Sequence, residues 1–435
     1  MQKHYEATWE SICSRPVPSW FADAKFGIFV HWGLYSVPAY TRRDWYAEWY
    51  QMQIEEQAKP EVLQFHNRVY GETFRYADFA GKFKAELFDA QAWISLFERA
   101  GARYMNFTSK HHDGFCMYPT QYAWNWNSSD VGPHRDFCRE LREACEGTQV
   151  RFGLYHSIYE WFHPLYLQSP ERYATEHLLP MLKELIENYR PQTLFTDGEW
   201  DHPSDVWHST EFLQWLFNES SVRDTIVVND RWGKETREMG LGGNLTTEYG
   251  SLDIHPDDSK LTKVFEECRG IGKSFGFNRA EGTEDYLSAK ELIELLVSLA
   301  ARGGNLLLNV GPAGDGRIPV IMEERLLQIG KWLAVNGEAI YNSRKYCQSS
   351  QDGVCYTQRA GNIYVFFSTF PFGELPLADV PFDPAFSPVL LGYKGEASPV
   401  KIADCGGKTK LIFDPFTPDA LGSEHVYCVK IAKHF

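Results

Sequence analysis

Between residues 20 and 340 the chain alternates short apolar runs with longer helix-like stretches, and no other feature constrains its fold as strongly. Strands separated by helices predict a parallel α/β sheet whose faces the helices cover. Eight runs read as strands: Phe26–His31, Arg103–Thr108, Val150–His156, Thr193–Asp197, Thr225–Asn229, Leu245–Glu248, Ser274–Asn278 and Asn305–Val310. Between them, Ala90–Ala100 carries Trp93, Leu96 and Phe97 on one face, and Arg135–Cys145 turns charges outward. Ser288–Ala301 has Leu292, Leu295, Leu296 and Leu299 at helical spacing and stops at Gly303-Gly304; Glu323–Val335 follows the last strand. Eight strands with helices between them predict a (β/α)8 TIM-like barrel. The sixth and seventh strands are short and polar, so the barrel is expected to be irregular there.

The pattern changes after Tyr341. Short alternating runs at Gly353–Gln358, Asn362–Ser368, Val389–Gly392 and Val426–Ile431 are broken by Gly, Pro and Asp. They predict a small C-terminal antiparallel β-sandwich domain. The expected division is a barrel over 1–344 and a sandwich over 345–435.

Composition narrows the partners. A formal net charge of −15 without a dense Lys/Arg run argues against nucleic acid or an anionic membrane. No window reaches the roughly 18–20 apolar residues of a membrane span. The first residues, Met1-Gln2-Lys3-His4-Tyr5-Glu6, lack the apolar core of a secretory signal, so a cytoplasmic location is expected unless a leader has been removed. The 9 cysteines are scattered without a Cys-x-x-Cys pair, which gives no sign of a zinc ribbon or dithiol centre. Whether Cys138 and Cys145 pair is open. Oligomeric state is open too, a homo-oligomer included. Aromatic residues make up 15% of the chain, a surplus that suits both barrel cores and carbohydrate recognition.

Polar residues concentrate where the expected strands end. The tips read Val30-His31-Trp32-Gly33, Lys110-His111-His112-Asp113-Gly114-Phe115, Tyr155-His156-Ser157, Asp197-Gly198-Glu199-Trp200, Asn229-Asp230-Arg231-Trp232-Gly233 and Glu248-Tyr249-Gly250. In a barrel these tips converge on one mouth, where active sites of such folds lie. A set of His, Tyr, Trp and Arg with two carboxylates suits a polyhydroxylated sugar. Breaking a glycosidic bond needs one carboxylate at the anomeric carbon and one carboxylic acid that protonates the leaving oxygen.

Each residue also has a plainer reading. Asp197 could cap the following helix. His31 could be a hydrogen-bonded core histidine. His111 and His112 would point to opposite faces in an extended strand, one into the pocket and one bracing it. Arg231 could pair with Asp230 or Glu248, and Glu48-Trp49 could be a surface turn or a pocket wall. Glu199 and Glu281 are rival acids. His31, His111 and His112 together could instead hold a metal, although their spacing matches no metal motif.

At these residues the chain resembles glycoside hydrolase family 29, the α-L-fucosidases. The likeness begins with Trp20-Phe21-x-x-Ala24-Lys25-Phe26-Gly27-Ile28-Phe29-x-His31-Trp32-Gly33. It continues through Lys110–Phe115, Asp197–Trp200 and Asn229–Gly233, and closes with Gly303-Gly304-Asn305-Leu306-Leu307-Leu308-Asn309-Val310-Gly311-Pro312. It spans roughly 8–345 and continues into the C-terminal domain. The resemblance implies a retaining, two-step exo-α-L-fucosidase without metal or other cofactor, acting on fucosylated oligosaccharides or glycoconjugates. It implies Asp197 as nucleophile and Glu248, in the pair Glu248-Tyr249, as acid/base. It implies His31, Glu48, Trp49, His111, His112, Tyr155 and Arg231 as ligands of the sugar hydroxyls, with Phe275 beside the C6 methyl. The Asp-Gly-Glu-Trp context and Glu248 are similar to the broader-specificity branch of the family. The competing expectations are a metal-dependent barrel hydrolase and a catalytically silent fucose-binding protein.

Overall fold

In the run Phe26-Gly27-Ile28-Phe29-Val30 every residue is buried, which only a strand covered on both faces achieves. The computed structural model describes residues 4–237, 244–248, 264–351, 353–371 and 373–433, with 244–248 described as backbone. Eight parallel strands form one sheet. They are β1 (Phe26–Val30), β2 (Tyr104–Lys110), β3 (Leu154–Ser157), β4 (Thr193–Asp197), β5 (Val227–Val228), β6 (Asn244–Glu248), β7 (Val264–Gly270) and β8 (Asn305–Val310). Their order is β5-β4-β3-β2-β1-β8-β7-β6, with the first and last strands paired through β1 and β8. This is the sequential order of a (β/α)8 barrel. Its irregularity lies at β5, which is two residues long, and between β5 and β6, where no ladder joins the strands among the described residues.

Alternation along the strands sorts the core into two layers. Ile28, Val30, Met105 and Phe107 point outward into the apolar cluster beneath the helices. Phe29, Tyr104, Tyr155, Phe195, Cys268 and Leu307 point inward and fill the barrel. Glycine makes room where rings crowd: a Cβ at Gly27 would lie 2.4 Å from the Tyr104 ring. Helix Ala289–Ala301 starts at a capping box, with Ser288 Oγ accepting from Glu291 N–H and the Glu291 carboxylate accepting from Ser288 N–H at 2.8 Å. Its Leu292, Leu296 and Leu299 are fully buried, as the spacing predicts.

The seventh strand differs from the expectation. It is Val264–Gly270, and Ser274–Asn278 is the loop beyond it. Glu266, Glu267 and Arg269 make the true strand look polar. The structure accounts for one of these charges inside the barrel, where the Tyr104 hydroxyl donates to Glu266. Burial pushes that carboxyl up to about 7, which favours its protonated form and lessens the charge the barrel must bury.

Beyond the barrel, β9 (Arg344–Gln351), β10 (Val354–Arg359), β11 (Asn362–Phe367), β12 (Glu374–Pro381), β13 (Phe386–Leu390), β14 (Val400–Cys405), β15 (Lys408–Phe413) and β16 (Tyr427–Lys433) form two antiparallel sheets. Their orders are β13-β16-β11-β10-β9 and β12-β15-β14. Val365, Phe367 and Val429 from one sheet meet Leu377, Leu411 and Phe413 from the other in a single apolar cluster. Helix Val320–Ile340 ties this layer to the barrel: Trp332 Nε1–H donates to Val426 O at 2.7 Å, and Thr357 Oγ–H to Ala339 O at 2.7 Å. Cys138 and Cys145 are separate buried thiols. Among the described residues no helix is long and apolar enough to cross a membrane.

Candidate active site

The roof of the barrel core is the floor of a pocket. Phe29, Tyr155, Phe195 and Cys268 belong to the inward-facing layer and also line this cavity. Counted out to its open mouth, the cavity holds ≈ 430 Å³. The strand tips supply the rest of its wall. His31 follows β1, His111 and His112 follow β2, Asp197 ends β4, and Arg231 follows β5. Glu48 and Trp49 come from the loop after β1, and Phe275 comes from the loop after β7.

Asp197 sits where positive charge and hydroxyl donors converge. Arg231 Nη1–H donates to its Oδ1 at 2.6 Å, and the Tyr155 hydroxyl donates to its Oδ2 at 3.1 Å. His112 Nε2 lies 3.6 Å from Oδ2, and Arg237 lies 3.7 Å from Oδ1. Burial alone would push this carboxyl up, yet the neighbouring Arg231 and Arg237 outweigh it and hold the group below its ordinary value. Asp197 is therefore a carboxylate at neutral pH, aimed at a pocket. It caps no helix: the next one, Ser209–Asn218, starts twelve residues later. Arg231 pairs with Asp197. Gly198 has φ +83°, and a Cβ there would lie 2.4 Å from Tyr159 Cβ, so the chain turns sharply just after the carboxylate.

The histidines are buried and neutral. Desolvation lowers His31 and His112 to about 4 and His111 well below its usual value. Both members of the His111-His112 pair line the pocket, contrary to the opposite-faces expectation. Extended geometry ends at Lys110, so the alternation no longer applies, and the two rings lie 4.1 Å apart. Glu48 is a buried wall residue whose Oε2 accepts from Gly276 N–H at 2.8 Å and Ser274 Oγ–H at 3.1 Å. Phe275 packs 4.9 Å from the His31 ring.

Aromatic rings frame the mouth. Trp49 lies 5.2 Å from Trp161 and 5.8 Å from Trp200, which is 37% exposed. Tyr46 and Trp200 line the pocket beside the expected residues. Trp200 was legible, as a ring next to a strand-end carboxylate; Tyr46 sits in an irregular loop with no signal in its surroundings.

The rival carboxyls separate. Glu248 ends β6, its backbone in register with the pocket-lining Cys268, while its side chain lies outside the described residues. Glu199 is buried and does not line the pocket, with Arg237 donating to Oε1 and no hydrogen-bond partner for Oε2 among the described residues. Burial and the charge of Asp197 raise its pKa. Glu281 accepts from Ser274 N–H at 2.8 Å and does not line the cavity.

Histidine and carboxylate ligand atoms converge elsewhere, at Glu160, His163 and His177, and not at His31, His111 and His112, among the described residues. There Lys110, itself fully buried, places its ammonium 2.5 Å from Glu160 Oε1, and His177 Nε2 lies 3.0 Å from the same oxygen. The cluster braces the site, since Lys110 precedes His111 and Trp161 N–H donates to His112 O at 2.9 Å. Glu160→Gln would leave a buried cation without its counter-charge, and the expected loss of stability is about 3–5 kcal/mol. Urea unfolding at pH 7 measures it; a loss under about 1 kcal/mol would mean that the Lys110–Glu160 pair does not hold this part of the fold.

The family model described as Alpha-L-fucosidase matches residues 1–338. The chain is 42% identical over 404 residues to the tissue α-L-fucosidase of Rattus norvegicus, covering 90% of this chain and 85% of that one. It is 39% identical over 440 residues to the tissue α-L-fucosidase of Homo sapiens, covering 99% and 92%. In structure it is similar to the Thermotoga maritima α-fucosidase solved with a mechanism-based inhibitor, with a TM-score of 0.84, 34% identity, and coverage of 99% and 100%. A carboxylate held by arginine at the mouth of a (β/α)8 barrel thus coincides with a match along nearly the whole length, and the chain belongs to the α-L-fucosidase family and is a glycoside hydrolase.

Proposed function

We propose that the chain is a retaining exo-α-L-fucosidase that releases terminal α-L-fucose from fucosylated glycans, with Asp197 as nucleophile and Glu248 as acid/base. The observation that carries this reading is the ionised Asp197, buried beside Arg231 and Tyr155 in the wall of the pocket. In the first step an Asp197 oxygen bonds to the anomeric carbon, the glycosidic bond breaks, and Glu248 gives its proton to the leaving oxygen. In the second step Glu248 takes a proton from water, the water oxygen bonds to the anomeric carbon, and the Asp197 ester breaks. The pocket's closed end suits a terminal sugar. Fucose is a 6-deoxy sugar, so its C6 is a methyl group, and the Phe275 ring offers it an apolar neighbour. A hydroxyl in that place would be left unpaired at a cost of about 1–3 kcal/mol.

Proton NMR of the first-formed sugar tests the stereochemistry: α-fucose appearing first supports retention, and β-fucose first overturns it. A second reading gives the acid role to Glu199, favoured by its raised pKa and its unpartnered Oε2. Leaving groups decide between the two. Glu248→Ala is expected to slow hydrolysis of natural fucosides by about 10²–10⁴-fold while activated aryl fucosides lose far less. If Glu199→Ala shows that split and Glu248→Ala does not, the assignment moves to Glu199.

A further inference from the structure

Two side chains that do not line the pocket decide what its histidines can recognise. Ser157 Oγ is 2.6 Å from His112 Nδ1, 2.8 Å from Tyr159 O and 3.0 Å from Tyr159 N. With the single Ser157 hydroxyl proton on Tyr159 O, a carbonyl that can only accept, Ser157 has none left for His112. Its lone pairs then accept from Tyr159 N–H and from His112, which must carry its proton on Nδ1. The same logic holds on the other side of the cavity. Asn309 Nδ2 donates to Phe275 O at 2.7 Å, which turns its Oδ1 towards His31 Nδ1 at 2.7 Å. An amide oxygen cannot donate, so His31 Nδ1 carries the proton.

We propose that Ser157 and Asn309 are positioning residues that lock His112 and His31 as Nδ1–H tautomers, so that the pocket presents two Nε2 lone pairs, each accepting from a hydroxyl of the bound sugar. The proposal rests on the reading that this pocket holds fucose and deepens it. Both rings are buried and neutral, so each Nε2 is an acceptor. At His112 the consequence is acute: its Nε2 faces Asp197 Oδ2 at 3.6 Å, two acceptors with no proton of their own to share. A sugar hydroxyl entering there meets a base on the ring and a carboxylate beside it. The opposite tautomer would point an N–H at Asp197 and hold the nucleophile in a hydrogen bond. A hydroxyl replaced by fluorine or a methyl ether at either position keeps its bulk and loses the proton the site requires.

Spectra and binding test this without relying on turnover. In ligand-free enzyme labelled with ¹⁵N-histidine, long-range ¹H–¹⁵N spectra should show His31 and His112 protonated on Nδ1, assigned with His31→Asn and His112→Asn. Ser157→Ala should move His112 towards the Nε2–H form and weaken fucose binding about tenfold to hundredfold, the loss expected for one buried hydrogen bond. Ser157→Thr, which keeps the hydroxyl, should restore both. Asn309→Asp should raise the pKa of His31 by placing a carboxylate on Nδ1. His31 already faces Asp197, which raises its pKa, and His112 and Arg231, which lower it. The new charge should make fucose affinity fall as pH drops through a value nearer neutral than in the wild type. An Nε2–H signal for either ring in the wild type overturns the proposal, as does Ser157→Ala with unchanged spectra and affinity. If the wild type neither binds nor releases fucose, the proposed function fails, while the spectra still decide the tautomers.

Discussion

Asp197→Gly is expected to lower kcat on an aryl α-L-fucoside by about four to six orders of magnitude, the scale on which loss of a nucleophile is felt. The variant keeps Arg231, Tyr155 and the pocket wall, so it should still bind fucose. Azide should recover part of the rate by entering the space the carboxylate leaves. It then attacks from the nucleophile's side and gives β-L-fucosyl azide, with one inversion in place of two. Mass spectrometry and NMR of the product check this. An α-azide, or residual activity above about one hundredth of wild type, would move the nucleophile to another residue.

The second large effect is expected at Arg231, which is itself buried and holds Asp197 Oδ1 at 2.6 Å. Arg231→Met takes away the chief counter-charge and leaves the more exposed Arg237 at 3.7 Å. Breaking a buried pair from one side costs about 3–5 kcal/mol. If that cost falls on the transition state, kcat/KM drops by about two to four orders of magnitude. The pH profile should change as well, with a definite sign. In the wild type Arg231 depresses the Asp197 pKa, so the nucleophile stays ionised as pH falls. Without Arg231, desolvation dominates, the pKa rises, and activity is lost on acidification at a higher pH than before. A profile that only scales down, with an unmoved acid limb, would show that Arg231 serves the sugar and not the charge state of Asp197.

The barrel was legible because its strands are apolar on both faces and its helices carry stripes. Ala90–Ala100 and Thr193–Asp197 match the expected bounds residue for residue. β7 was not legible, because Glu266 and Glu267 break the apolar signal that marks the other strands. What makes Glu266 tolerable, the Tyr104 hydroxyl, comes from a residue 162 positions away. Ser274–Asn278 misled for the opposite reason: its Phe275 and Phe277 serve a loop that lines and supports the pocket. In the sandwich, the β14–β15 hairpin was missed although Gly406 and Gly407, both with positive φ, carry a standard two-residue turn signal. The site was readable in its residue types, since strand tips gather at one rim. Its connections were not: that Arg231 holds Asp197 and that Ser274 and Gly276 hold Glu48 depends on how loops meet in space.

For anyone redesigning the donor specificity of this scaffold, position 198 is a fixed point. Only glycine accepts its left-handed backbone beside Tyr159, so a library randomised across 198–200 spends a third of its positions on one answer. Diversity belongs at the half-open indole of Trp200, where a change of shape reworks the pocket's rim without bending the turn that aims the carboxylate.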